Sequence, residues 1–227
     1  MPPEIVRLAR RLGHVFNDAN LLLQACSHRS FGPPHNERLE FLGDGLLNFV
    51  IGSALYTLRP GANEGDLSRL RASLVREETL AQLARGLDLG NALRLGAGEL
   101  RSGGFRRDSI LADALEALFG AIHQDAGFEA AREACLRLYQ PLLLALPDAR
   151  SLKDAKTRLQ EHLQGDGRPL PQYEVLYESG PPHHRRFNVC CTLLDAEHRS
   201  EAVGNSRKLA EQDAAAMMLE LLELSHA

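Results

Sequence analysis

Two short acidic segments carry the densest chemical signal in the chain. The first is His35-Asn36-Glu37-Arg38-Leu39-Glu40-Phe41-Leu42-Gly43-Asp44-Gly45-Leu46-Leu47. On a helix of about 3.6 residues per turn, Glu37, Glu40 and Asp44 stand at i, i+3 and i+7, which is one face. Leu39, Leu42, Leu46, Leu47 and Val50 supply apolar surface elsewhere around the same helix. Like charges at this spacing repel by ~0.2–0.5 kcal/mol per pair, so a run of them calls for a cation. The second segment is Ile110-Leu111-Ala112-Asp113-Ala114-Leu115-Glu116-Ala117-Leu118-Phe119, where Asp113 and Glu116 again sit at i and i+3. Acidic groups among these apolar neighbours would be costly to bury unpaired, which implies a metal ion or an Arg partner. Glu40, Asp44, Asp113 and Glu116 converging from two helices would make an all-oxygen site, suited to Mg²⁺ or Mn²⁺ rather than zinc. Two other readings stay open from spacing alone: a solvated acidic face, or pairing with Arg38 or Arg76. A di-iron carboxylate centre would use Glu-x-x-His pairs, and neither acidic segment has one.

The frame that must position these groups is ordinary in bulk composition. The chain has 227 residues, 44% hydrophobic and 25% charged, which fits one large or two small globular domains. Lys+Arg 26 against Asp+Glu 30 gives a net charge of -4, and residues 151–227 are themselves acidic, with 9 against 12. Bulk charge thus argues against coating a polyanion, and any such site must be local. The apolar run Leu142-Leu143-Leu144-Ala145-Leu146 is far shorter than the roughly 20 residues of a membrane span. The start, Met1 to Arg11, is amphipathic without the apolar core of a secretory signal. Cys26, Cys135, Cys190 and Cys191 show no CxxC spacing, which predicts buried thiols in a reducing, cytoplasmic setting. No membrane partner is expected.

The chain divides by texture. Up to about Leu146, apolar residues recur at three and four, with breaks at Gly32-Pro33-Pro34, Pro60-Gly61-Ala62-Asn63 and Gly96 to Gly104. Pro147-Asp148-Ala149-Arg150-Ser151 is a short polar stretch that looks like a linker. Then Asp154 to Leu163 predicts a helix, and Gln172 to Tyr177 a strand with Tyr173, Val175 and Tyr177 on one face. In Arg186 to Leu193, Phe187, Val189, Cys191 and Leu193 share a face. A weaker third strand fits Ser200 to Val203, and Ser206 to Leu222 predicts a closing amphipathic helix. The fold class is therefore α+β: an all-α N-terminal domain over 1–147, a linker over 148–152, and an α-β-β-β-α module over 153–222.

Asn36-Glu37-Arg38-Leu39-Glu40-Phe41-Leu42-Gly43-Asp44 resembles the signature of the ribonuclease III family of double-stranded-RNA endonucleases. The likeness extends through Glu64-Gly65-Asp66-Leu67-Ser68, through Gly98-Glu99-Leu100-Arg101-Ser102-Gly103-Gly104, and through Asp113-Ala114-Leu115-Glu116-Ala117. One departure is Gly45, where the family usually has a small residue such as Ser. Glycine there costs up to about 1 kcal/mol in a helix interior. The resemblance implies that Glu40, Asp113 and Glu116 hold a divalent metal, Mg²⁺ or Mn²⁺, with Asp44 and Glu116 as catalytic carboxylates. Glu37 and Glu64 match supporting acidic positions of the cleft. It also implies a homodimer in which Phe41 lies at the interface, although an ordinary core Phe fits the sequence as well. The Ser27-His28 and Ser30 cluster reads as a turn or N-cap rather than a nucleophile, and Cys26 as core.

In the second module, Arg207 and Lys208 open the last helix, where cations oppose the macrodipole unless a phosphate is held there. Thr157, Gln160 and Glu161 share one side of the first helix, and Gly180-Pro181-Pro182-His183-His184-Arg185 forms a loop able to enter a groove. This three-part arrangement resembles the double-stranded-RNA-binding domain, in which such elements read two minor grooves and the intervening phosphates. Thr157, Gln160, Glu161, His183, Arg207 and Lys208 are the RNA contacts it implies, with His184 an alternative to His183. The expectation is an endoribonuclease that cleaves double-stranded RNA in ribosomal and messenger RNA processing. The rival is a non-catalytic double-stranded-RNA-binding regulator.

Overall fold

Amphipathic periodicity and well-placed caps build the first unit, Met1–Leu152, entirely from helices. The computed structural model describes residues 1–181 and 184–225. Seven α-helices follow in order: α1 Pro3–Leu12, α2 Ala19–Ala25, α3 Glu37–Leu58, α4 Glu64–Val75, α5 Glu77–Gly86, α6 Ala97–Arg101 and α7 Asp108–Leu144. Asp18 caps α2 by accepting from the Asn20 N–H, and Asn63 caps α4 by accepting from the Asp66 N–H. Gly13 ends α1 in the left-handed region.

The central feature is the pairing of α3 with α7, the most extensive between any two helices of the chain. Leu39, Leu46, Leu47, Val50 and Ile51 from α3 join Leu111, Leu115, Leu118, Phe119 and Ile122 from α7 in one buried core. α3 is long and apolar enough to cross a membrane by composition, yet Leu39, Leu46, Leu47, Val50, Ile51 and Leu55 are buried in this core. Two glycines let the backbones touch. A Cβ at Gly43 would stand 1.8 Å from the Glu116 carbonyl oxygen, and one at Gly120 would stand 2.1 Å from that of Leu39. α7 is interrupted at Gly127, whose φ of 83° no helix accommodates. Just before the break, Asp125 accepts from the Asn17 and Asp18 N–H groups and bonds His14 Nε2, tying the α1–α2 connection to α7. Residues 149–152, expected as linker, form a 3-10 turn in which Ala149 and Leu152 pack against the first core.

The second unit, Lys153–Ala227, comprises α8 Ala155–Gly165, β1 Gln172–Ser179, β2 Arg186–Thr192, β3 Arg199–Gly204 and α9 Arg207–Ser225. The strands form one antiparallel sheet in the order β1-β2-β3. Cys191 and Leu193 join Leu159, Leu163, Ala214, Ala215 and Met218 in a second core, with Tyr173 and Ala202 packed against it. One expectation needs correction: Tyr177 does not share a face with Tyr173 and Val175. The register shifts between Val175 and Tyr177, so Tyr177 pairs with Asn188 and is 56% exposed. The extra residue of a bulge moves every later side chain to the other face.

The glycines of α3 make opposed outcomes testable by chemical denaturation. Gly45 is exposed with no atom within 4 Å of a built Cβ, so Gly45→Ala should stabilise by up to about 1 kcal/mol. Gly43→Ala gains the same helix propensity but drives α3 off α7, so it should destabilise by about 1–3 kcal/mol or more.

Candidate active site

The contact at Gly43 and Gly120 fixes where the carboxylates meet. Glu40 lies one turn before Gly43 on α3, and Asp113 and Glu116 lie on the preceding turns of α7. One ligand oxygen from each of Glu40, Asp113 and Glu116 falls within 4.8 Å of the others. Each of the three is half-buried. The donor set is all carboxylate, with neither His nor Cys, which fits a hard divalent cation.

The electrostatics point the same way. Burial, then the neighbouring Asp44, Asp113 and Glu40 charges, push the Glu116 carboxyl up to about 8. Burial raises Glu40 too, with Asp113, Glu37 and Asp44 adding to it. Asp113 is raised by burial and by Glu77, while His28 and Arg29 pull it down. Among the described residues no salt bridge joins Arg38 or Arg76 to the trio. The cluster is short of positive charge, which a bound cation would supply.

The cleft in front of the trio has a volume of about 650 Å³, and Glu37, Glu40 and Asp113 line it together with Arg29 and Arg107. Glu37 meets Arg29 at 3.4 Å and His35 at 3.7 Å. Asp44 is exposed one turn further along α3, where the Asn48 side-chain amide donates to its Oδ1 at 2.7 Å. Glu64 stands elsewhere within this chain. It opens α4, accepts from Ser68 Oγ at 2.8 Å, and lines a second groove with Phe49, Tyr56 and Arg71. Phe41 is 83% exposed, which removes the core alternative. With Phe49 and Tyr56 it forms an exposed aromatic stripe within an ~80° sector of α3.

In the second unit, Gln160 is exposed on α8, and Thr157 Oγ1 donates to its own capping residue Asp154. Glu161 is gripped by Lys153 Nζ through both oxygens at 2.8 and 2.6 Å. At the start of α9, Arg207 Nε donates to Glu211 at 2.8 Å, and Glu211 also takes Lys156 Nζ at 2.6 Å. Lys208 is exposed beside them. Gln212 bridges back to Asp154 and to the Lys156 N–H, so the two helix starts are locked together. His183 lies outside the described residues, and His184 is exposed with its N–H on the Pro181 carbonyl.

Sequence reasoning missed the basic and polar side of the cleft. Arg107 pairs with Glu99 at 2.7 Å, and His28 and Ser30 line the same space. Their only signal was the Gly98 to Gly104 block and the Ser/His cluster, neither of which names a partner.

A family model described as Ribonuclease-III-like matches residues 18–142, and one described as Double-stranded RNA binding motif matches residues 155–222. A relative named Ribonuclease 3 from Alkalilimnicola ehrlichii is 58% identical over 226 residues, covering 100% of this chain and 99% of the relative. Another from Dechloromonas aromatica is 55% identical, covering 95% of this chain and 97% of the relative. A solved nuclease domain of ribonuclease III from Campylobacter jejuni, with structural flexibility in a region involved in dimer formation, is 46% identical. It covers 60% of this chain and 96% of that one, with a TM-score of 0.59. With both family models matched in chain order and curated relatives aligned over nearly its whole length, the chain belongs to the ribonuclease III family.

Proposed function

We propose that the protein is a divalent-metal-dependent endoribonuclease that cleaves double-stranded RNA to 5′-phosphate and 3′-hydroxyl ends. One observation carries this: the meeting of Glu40, Asp113 and Glu116 at a cleft lined by the first two, in a chain that also holds a double-stranded-RNA-binding motif. These three carboxylates would hold the ion, and Mg²⁺ suits their oxygen donors, with Mn²⁺ a substitute. When bound, the ion would supply Lewis acidity toward a water and the departing 3′ oxygen. Asp44, oriented by Asn48, accepts a hydrogen bond from the attacking water. Glu37 holds Arg29 at the cleft wall. No nucleophilic side chain is needed.

Duplex RNA is bound by Thr157, Gln160 and Glu161 on α8, by His183, and by Arg207 and Lys208 at the start of α9. Recognition follows A-form shape more than sequence. The exposed stripe of Phe41, Phe49 and Tyr56 serves a homodimer interface, and Glu64, in the adjoining groove, is with Glu37 a supporting carboxylate of the catalytic cleft. Ribosomal RNA precursors and structured messages in the cytoplasm are the substrates proposed.

A labelled duplex incubated with Mg²⁺ and then with a chelator tests the reading. Cleavage should require the ion; Asp44→Ala and Glu116→Ala should abolish it while duplex binding persists. A chain that binds duplex and never cuts it would be a regulator instead.

Arg207→Ala with Lys208→Ala should weaken binding and lower the slope of log K against log salt by about 1–2. An unchanged slope in a salt titration would remove these residues from the interface.

The raised Glu116 pKa sets a pH dependence. Binding a cation must displace a proton held up to about pH 8, so affinity should climb between pH 6 and 8 with net proton release. Titration calorimetry in buffers of different ionisation enthalpy reads the released proton directly. For the ion-free fold the sign is opposite to that of a paired acid. Its stability should fall as pH rises from 4.5 toward about 8, because unfolding frees Glu116 to ionise. Glu116→Gln should flatten that decline.

A further inference from the structure

His28 heads a 3-10 turn, Arg29–Phe31, and its ring does more than cap it. The Ser30 backbone N–H donates to His28 Nδ1 at 3.2 Å, and Ser30 Oγ lies 2.8 Å from the same nitrogen. A backbone N–H can only donate, so Nδ1 is an acceptor and the ring proton stands on Nε2. Ser30 Oγ in turn accepts from the Gly96 N–H at 2.9 Å, which leaves its own hydrogen for Nδ1. The backbone donor sets the tautomer, and the Ser30 hydroxyl is free to donate to the same nitrogen.

The turn itself is anchored. The His28 N–H donates to the Arg94 carbonyl at 3.0 Å and the Arg94 N–H to the Cys26 carbonyl at 2.8 Å. Buried Ser27 takes Arg94 Nη1 at 3.1 Å, and the Arg94 guanidinium lies 4.1 Å over the Phe31 ring. His28 lines the same cleft as Glu40 and Asp113, close enough to Asp113 for their charges to interact. The two cations of that cleft are already engaged, Arg29 with Glu37 and Arg107 with Glu99. Of the His and Arg side chains that line the cleft, His28 is the one with no hydrogen bond or ion pair to a carboxylate among the described residues.

We propose that His28 is a further catalytic residue, whose Nε2–H donates a hydrogen bond to a non-bridging oxygen of the scissile phosphate. A preorganised donor at this place stabilises the charge that gathers on the phosphoryl oxygens during displacement. The proposal rests on the RNA-cleavage reading above.

His28→Asn tests it in the full-length protein, because the Asn side chain can still cap the turn but cannot reach as far as Nε2. It should melt with the parent and bind duplex RNA equally well in Ca²⁺, yet cleave about 10²-fold more slowly in single turnover with Mg²⁺. Duplexes carrying one phosphorothioate at the cleavage site give a readout that a structural role would not move. One diastereomer should slow the parent by removing the acceptor of Nε2–H, and His28→Asn should lose that effect while keeping the effect of the other. A variant within threefold of the parent, or one retaining both effects, overturns the proposal. Should His28→Asn be unfolded at the assay temperature, Ser30→Ala decides: a rate about 3- to 10-fold lower with a weakened thio effect supports it, and unchanged values overturn it. A parent without Mg²⁺-dependent cleavage would defeat the underlying reading. An active parent, a dead Glu116→Ala and a normal His28→Asn would defeat only the role of His28.

Discussion

The backbone contact between α3 and α7 is the constraint on which the rest of the first unit depends. At Gly43 and Gly120 each helix presses a glycine against a carbonyl of the other, closer than any side chain allows. That approach brings Glu40 and Glu116 to one place, and Asp113 joins them from the turn below. Interiors pack at crystal-like density, so a helix cannot shift by a methyl group without moving everything it carries. The large shared core of α3 and α7 supplies the burial that holds the pair together against the repulsion at its edge.

That repulsion is a functional cost borne by the fold. Burial and neighbouring acidic charge raise all three carboxyls of the trio, so the ion-free protein keeps a centre that favours protons or a cation over bare charge. A metal held by those groups would couple its binding to folding, because ligands must lose protons to bind. The opposite wall of the cleft is built differently. Its cations are paired off with Glu37 and Glu99, and its histidine is locked in one tautomer by its own turn.

The second unit reconciles an acidic chain with a polyanionic partner. Total charge is -4, yet Arg207 and Lys208 stand exposed at one helix start. Glu211 holds Arg207 and Lys156 together, which orients the guanidinium and offsets part of its charge. Such a surface favours affinity that is moderate and sensitive to salt, because few phosphates are neutralised. The Asp154–Gln212–Lys156 hydrogen bonds fix the separation of the α8 and α9 starts, and shape recognition of a duplex depends on such spacing.

Much of this was legible in the residues. The i, i+3 spacing of Asp113 and Glu116 in an apolar helix, and of Glu37 and Glu40 in another, already offered a metal site as one reading beside a solvated face or an Arg partner. Alternation and punctuation placed the helical unit and the α-β-β-β-α module, because periods of 3.6 and 2 are local properties of the backbone. Four features lay beyond local pattern. Periodicity could not say that Phe41 would be exposed, since an exposed and a buried aromatic look alike in one strand of sequence. It could not separate Glu64 from the cleft, or see that a bulge turns Tyr177 to the opposite face of the sheet. Nor could it give the tautomer of His28, which depends on hydrogen bonds closed by the turn and by Gly96. Residue types and spacing determined which chemistry was available. Only the tertiary structure decided which groups meet, because Glu40 and Glu116 are brought within reach by a helix contact between residues far apart in the chain.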